Sequence, residues 1–270
     1  MGAAIRPFLK WPGGKHRLVP RILKLLRPGR RLVEPFVGSG ALFLSARYPH
    51  NLLADSNADL INLYRQLRDE GEPFVAYCRT FFDPAYNRAE CYYAFRALFN
   101  TTADARLKSA LFVYLNRHCY NGLCRYNASG AFNTPFGRYR APAFPDKEMR
   151  HFYRRLHDTE IECADFRETM AAAIEGDTVY CDPPYTPLSA TARFTDFAAG
   201  GFGWELQQEL AGQARQLAQR GIQVVISNHD TPEIRSLYRE AAISSFPVRR
   251  LISRDADNRN AVDEILAVFG

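Results

Sequence analysis

The sequence predicts an α/β protein built on an open, mostly parallel sheet, because short apolar segments of strand length alternate with amphipathic segments of helix length. The strand-like segments are apolar through most of their length, as expected of strands covered on both faces. In chain order the expected strands are Arg31–Pro35, Leu52–Asp55, Glu160–Cys163, Thr178–Asp182, Gln223–Ser227 and Glu264–Phe269. The expected helices are His16–Leu26, Gly40–Arg47, Ala58–Asp69, Trp204–Arg220 and Pro232–Arg239. The helix at Trp204 is the clearest, with Leu206, Leu210, Ala214 and Leu217 on one stripe and Gly221 as its stop.

Between Gly71 and Arg155 the pattern changes. Two helical stretches, near Ala85–Phe99 and Ala103–Leu115, lead into a run from Asn116 to Pro145 rich in Asn, Gly, Tyr and Arg, with little strand signal. Residues 71–155 therefore read as a lobe inserted into a core made of residues 1–70 and 156–270, and ordered loops of this kind are usually functional.

The chain has 270 residues, 47% hydrophobic and 24% charged, which excludes disorder as its main state and leaves room for a core that needs no disulfide or metal staple. No apolar run nears the ~18 residues of a membrane span, and Arg6 and Lys10 interrupt any secretory signal. None of the six cysteines forms a Cys-x-x-Cys pair, so no metal is expected and a reducing cytoplasm is the expected location. The net charge of +6 is unevenly spread: Met1–Arg31 holds nine basic and no acidic residues, and Arg117–Arg155 holds eight basic against two acidic. Two such stretches suit a phosphate-tracking surface, and each alone is equally compatible with a solvated helix face.

Four motifs carry chemistry. Phe36-Val37-Gly38-Ser39-Gly40 follows an apolar strand, where glycine lets a ligand approach the backbone, and Asp55 ends the next strand, where an acid can accept from ribose hydroxyls. On its own this turn fits tight strand–helix packing as well, and Phe43 stands where a dinucleotide fingerprint wants a third glycine. Asp182-Pro183-Pro184-Tyr185 ends a strand as a stiff turn that offers a carboxylate, the Pro183 carbonyl and an aromatic face, the parts needed to hold a planar amine. Lys10-Trp11-Pro12-Gly13-Gly14-Lys15 brings an indole and two lysines to the first helix, as a ligand contact or as a hydrophobic staple. The run from Arg117 to Arg138 mixes Arg, Asn, Tyr and Leu, which can fork onto guanine, hold phosphates or enter a base stack, unless it folds on an aromatic minicore of its own.

Together and in this order, the four stretches resemble the DNA adenine-N6 methyltransferases, most closely the Dam type, over nearly the whole chain from Phe8 to Phe269. The resemblance implies a Rossmann-like methyltransferase sheet with helices on both faces, a mainly helical target-recognition insert, and S-adenosylmethionine as cofactor. It implies cofactor contacts at Trp11, Lys15, Phe36, Gly38, Gly40, Asp55, Asp165, Phe166 and Asp182, and a catalytic motif at Asp182, Pro183 and Tyr185. It implies double-stranded DNA as partner, read at GATC: Lys10 and Arg125 on guanine, Leu123 and Pro135 on thymine, Asn121 on phosphate, and Tyr120 filling the stack when adenine leaves. A chain with its own reader is expected to work as a monomer. Ser253-Arg254 is followed by an Asp-rich run through Asp257 where such relatives are basic, and it receives no role. An RNA or protein-amide methyltransferase, or a cofactor-binding DNA protein without chemistry, are the competing readings. Glutamine-modifying relatives usually carry Asn in place of Asp182, and the intact Asp182–Tyr185 motif speaks against a non-catalytic protein.

Overall fold

A computed structural model describes residues 6–185, 202–248 and 262–270. Strands β1 (Arg31–Glu34), β2 (His50–Asp55), β3 (Thr159–Cys163), β4 (Asp177–Cys181), β5 (Gln223–His229), β6 (Ala242–Val248) and β7 (Val262–Phe269) form one sheet in the order β3-β2-β1-β4-β5-β7-β6. The first five are mutually parallel, and β7 enters antiparallel between β5 and β6. This is the open, mostly parallel sheet that the sequence predicted and the Rossmann-like methyltransferase sheet that the resemblance implies, with β6 as a seventh strand beyond the six expected. The order reverses between β1 and β4, so the ends of these two strands flank the crevice where open α/β sheets bind ligands.

Period-2 alternation splits the strands between two buried layers. Val33, Leu52, Val179, Cys181, Val224, Ile226 and Ile265 face α7 (Phe166–Ala171), α8 (Trp204–Gln219) and α9 (Pro232–Leu237). Leu32, Tyr180, Val225 and Leu266 face α1 (Val19–Ile22) and the turn at Ala41–Ala46. A third layer joins Phe8, Phe43 and Leu53 to α2 (Ala58–Glu70), α3 (Glu72–Arg79), α4 (Ala89–Thr101), α5 (Ala105–His118) and α6 (Asp146–Arg155). The helices of the expected insert thus share one continuous core with the sheet edge, centred on Phe112, Tyr92, Phe132 and Phe152, each at most 1% exposed.

Two expected helices fall short. His16–Leu26 resolves into a 3-10 turn at Lys15–Arg17 and the four-residue α1, because Pro20 has no N–H to give the His16 carbonyl. Gly40–Arg47 is a series of turns mixing Leu44 N–H to the Gly40 carbonyl, Ser45 to Leu42 and Ala46 to Leu42, while the Arg155 guanidinium takes the Phe43 and Ala46 carbonyls. Among the described residues no helix is long and apolar enough to cross a membrane.

Candidate active site

At the C-terminal edge of the sheet, residues of one parity point to one side: Glu34 of β1, Asp182 just past β4, Ser227 of β5 and Glu264 of β7. Two of them, Asp182 and Glu264, flank Lys15, whose side chain is 8% exposed. Its Nζ lies 3.0 Å from Asp182 Oδ1 and 4.0 Å from Glu264 Oε2, and donates to the Gly13 carbonyl at 2.9 Å. The same ammonium sits 4.5 Å from the centroid of the Tyr185 ring. Sequence reasoning put Lys15 among the cofactor contacts; the fold brings it into the Asp182 corner.

The Asp182 carboxylate is oriented from behind. Ser227 Oγ donates to Asp182 Oδ1 at 2.8 Å and lies 3.1 Å from the Tyr180 hydroxyl. The Pro183–Pro184 turn is tied to α8 by Gln207 Nε2 on the Pro184 carbonyl at 3.0 Å, and Asn228 in turn holds Gln207 at 3.0 Å. Tyr185 donates its hydroxyl to Glu264 Oε2 at 3.2 Å and meets the His229 ring edge-on, centroids 4.6 Å apart. Desolvation, with Asp182 and Glu264 nearby, pushes its phenol well above the ordinary range, so the hydroxyl stays a donor.

Glu34, 2% exposed, leaves Oε1 without a hydrogen-bond partner. Burial, with the charge of Asp182 adding to it, pushes its carboxyl up from 4.5 to about 8. A carboxyl raised on folding contributes fully below its unfolded value, and that contribution is lost as pH rises through about 8. Glu34→Gln, neutral at every pH, is expected to flatten the stability profile and to melt above the wild-type protein beyond pH 8. Thermal melts across pH 5–9 check this, and superimposable profiles would contradict it.

The glycine turn lies beside this corner. Gly38 and Gly40 have φ of +47° and +69°, a region that disfavours side chains. A Cβ on Gly38 would lie 2.9 Å from Trp11 Nε1, and one on Gly40 would lie 2.7 Å from Phe152 Cε2. Asp55 accepts from the N–H of Gly38 at 3.1 Å and of Asn57 at 3.0 Å, so it braces the turn; burial pushes its carboxyl up despite both bonds. The buried Tyr64 hydroxyl donates to the Gly38 carbonyl at 2.5 Å. Phe36 stacks on Phe166 with centroids 5.4 Å apart, and Asp165 caps α7 while pairing with Arg167 at 2.7 Å. The fold thus brings Trp11, Phe36, Gly38, Gly40, Asp55 and Phe166 around the ends of β1 and β2, with the Asp165 carboxylate engaged by its own helix.

The candidate DNA-contact residues also converge. Bridges Cys119–Phe136 and Tyr126–Phe132 fold the loop-rich run into a small antiparallel unit. The Tyr120 N–H donates to the Pro135 carbonyl at 2.8 Å, and Thr134 Oγ1 donates to the Leu123 carbonyl at 2.6 Å. Tyr120 is 53% exposed, and Asn121, Arg125 and Pro135 are exposed beside it, while Leu123 is half-buried. Arg125 Nε donates to Asn133 Oδ1 at 2.7 Å, which orients its guanidinium. Lys10 joins from the other end of the chain because Asn116 clamps its backbone, accepting its N–H at 2.9 Å and donating to its carbonyl at 2.7 Å. Gly122, at φ +67°, leaves room for Lys10, whose Cβ would overlap any side chain there. Burial, then the charge of Arg117, lowers the Lys10 pKa. The Ser253–Asp257 stretch lies outside the described residues.

Sequence reasoning missed Ser227, Glu264, Glu34 and Tyr64 around the corner and Asn116 behind Lys10. The polar run Ser227-Asn228-His229-Asp230 after an apolar strand, and an acid closing Arg31–Glu34, were the available signals. No group of His, Cys, Asp and Glu suited to a metal occurs among the described residues.

The family model for D12 class N6 adenine-specific DNA methyltransferases matches residues 11–252. The chain is 47% identical over 265 residues to a DNA adenine methylase of Serratia marcescens, covering 98% of both chains. It is 47% identical to one of Vibrio cholerae, covering 98% of this chain and 96% of that one. To a DNA adenine methylase of Escherichia coli it is 46% identical over 264 residues, covering 98% and 95%.

Proposed function

The chain belongs to the D12 class N6 adenine-specific DNA methyltransferases and uses S-adenosylmethionine to methylate adenine N6, and from that premise we propose that its target is GATC in duplex DNA, read by the 71–155 insert and flipped into the Asp182 corner. One observation carries this reading. Asp182 and Tyr185 already close around an amine, the Lys15 ammonium, with a carboxylate at 3.0 Å and an aromatic face at 4.5 Å. The exocyclic amine of adenine is the substrate group that matches this corner.

The residues fit the cofactor by the cradle they leave and by the chemistry of their donors. Gly38 and Gly40 keep the turn bare at positive φ, with Trp11 and Phe152 packed where Cβ atoms would stand, Asp55 offers lone pairs at the end of β2, and the Phe36–Phe166 stack offers an aromatic wall. When bound there, S-adenosylmethionine supplies the electrophilic methyl group. Trp11, Phe36, Gly38, Gly40, Asp55 and Phe166 would hold it, with Asp165 fixing the start of α7 and Asp182 and Lys15 lining the reacting end.

Adenine N6 is a weak nucleophile because its lone pair is delocalised into the ring. Asp182 accepts one N–H and the Pro183 carbonyl accepts the other, which favours a pyramidal nitrogen and stabilises the positive charge that grows on it. Tyr185 stacks on the base and holds it in line. Asp182 exchanges Lys15 for the amine, while the Gly13 carbonyl and Glu264 keep the ammonium nearby. Unstacking costs a few kcal/mol, which Tyr120 and Leu123 offset by entering the gap. Lys10 and Arg125 read guanine, Pro135 packs on thymine, and Asn121 holds phosphate. One chain contains reader and chemistry, so a monomer suffices, and DNA as substrate suits the cytoplasm.

Incubation with methyl-labelled cofactor and duplexes with or without GATC tests the reading. Label is expected in the GATC duplex alone; equal labelling of both, or of neither, would overturn it. In the same assay Arg125→Ala is expected to relax choice at one guanine by ~1–3 kcal/mol. A loss equal on all sequences would make Arg125 a phosphate contact instead.

A further inference from the structure

Tyr185 stands at the end of a two-proline turn, and a stacking ring is useful only at a fixed tilt. Three groups set that tilt: the Lys15 ammonium on its face, the His229 ring against it edge-on, and a carboxylate on its hydroxyl. The carboxylate comes from β7, the antiparallel strand, at the point where Glu264 registers with His229 on β5 and Phe246 on β6. Because β7 runs against its parallel neighbours, its first residues lie beside the C-terminal ends of the others, the edge where Asp182 stands. Glu264 has the parity of Leu266, and so faces the same side as Tyr180 and Lys15.

We propose that Glu264 is a positioning residue for methyl transfer, which fixes the Tyr185 ring through its hydroxyl so that the extruded adenine meets Asp182 at the right angle. The proposal rests on the reading above that Tyr185 stacks on the base. The Glu264 side chain is 14% exposed, the Tyr185 hydroxyl is 3.2 Å from Oε2, and Lys15 approaches that same oxygen. One carboxylate oxygen therefore serves both the ring's hydroxyl and the ammonium on its face. What the ring requires of it is an acceptor, which a neutral amide also supplies.

Single-turnover methylation of a GATC duplex is compared for Glu264→Ala, Glu264→Gln, Tyr185→Phe and the Glu264→Ala/Tyr185→Phe double variant, with a melt and a cofactor-binding titration on each. Glu264→Ala and Tyr185→Phe are each expected to slow transfer about tenfold, the worth of one lost hydrogen bond, with cofactor affinity unchanged. The double variant is expected to be no slower than Glu264→Ala, because the hydroxyl has already lost its acceptor in that single variant. Glu264→Gln is expected to restore transfer to within about threefold of wild type, since its carbonyl still accepts. Multiplicative losses in the double variant, or a glutamine variant as slow as alanine, would overturn the proposal. Should Glu264→Ala fail to fold, the glutamine variant and Tyr185→Phe still decide it, because a held hydroxyl predicts a normal rate in the first and a slow one in the second. Tyr185→Ala separates the two levels: full transfer and an unchanged 2-aminopurine flipping signal in that variant would remove the stacking role itself.

Discussion

Replacing Asp182 by alanine is expected to lower methyl transfer by about 10³-fold or more while the protein stays folded. Preorganised partners of a developing charge are typically worth about 10²–10³ in rate, and Asp182 also positions one of the two N–H bonds. Stability should fall much less, because Lys15 keeps the Gly13 carbonyl at 2.9 Å and Glu264 at 4.0 Å, and Ser227 keeps Tyr180 at 3.1 Å. Asp182→Asn retains the shape and one acceptor but loses the charge, and should fall between alanine and wild type. Transfer of labelled methyl groups, with circular dichroism and a melt on each variant, checks the pair. An alanine variant that turns over normally would remove the mechanism.

Gly40→Ala is expected to cost about 2–5 kcal/mol of stability and to weaken cofactor binding. Its φ of +69° penalises any Cβ by ~1–2 kcal/mol, and the new methyl would sit 2.7 Å from the Phe152 ring. That ring cannot yield easily, since it packs against Phe8, Phe43 and Tyr64 at centroid distances of 5.2, 5.3 and 4.6 Å. Gly130→Ala is the control: φ is +75° with nothing within 4 Å, so only the backbone penalty of ~1–2 kcal/mol remains. Denaturant titration of both variants measures the difference, and equal losses would show that the aromatic wall does not confine the glycine turn.

The parallel strands and the Asp182 turn were legible because buried strands write themselves as apolar runs and a Pro-Pro turn is rigid in any context. Strand β6 was not, since Ala242–Val248 is an edge strand, mostly exposed, with two serines and a proline in place of an apolar pattern. Helix α6 was hidden for a related reason: only Met149 and Phe152 are fully buried, and its charges follow the helix dipole, with Asp146 and Glu148 first and Arg154 and Arg155 last. At the site, the residues of the motifs could be named one by one. Ser227, Glu264 and Glu34 could not, because their nearness to Asp182 depends on strand order and on the antiparallel entry of β7. The structure also brings Lys15 onto Asp182, a pairing across the chain that no local pattern contains.

The most direct measurement is the distance from the target adenine N6 to the Asp182 carboxylate and the Pro183 carbonyl in a ternary crystal structure with a GATC duplex and S-adenosylhomocysteine. The account predicts both acceptors within ~2.6–3.2 Å of N6, the base stacked on Tyr185, and Lys15 drawn off Asp182 toward Glu264. An extruded adenine bound out of reach of both acceptors, with Lys15 still paired to Asp182, would contradict it.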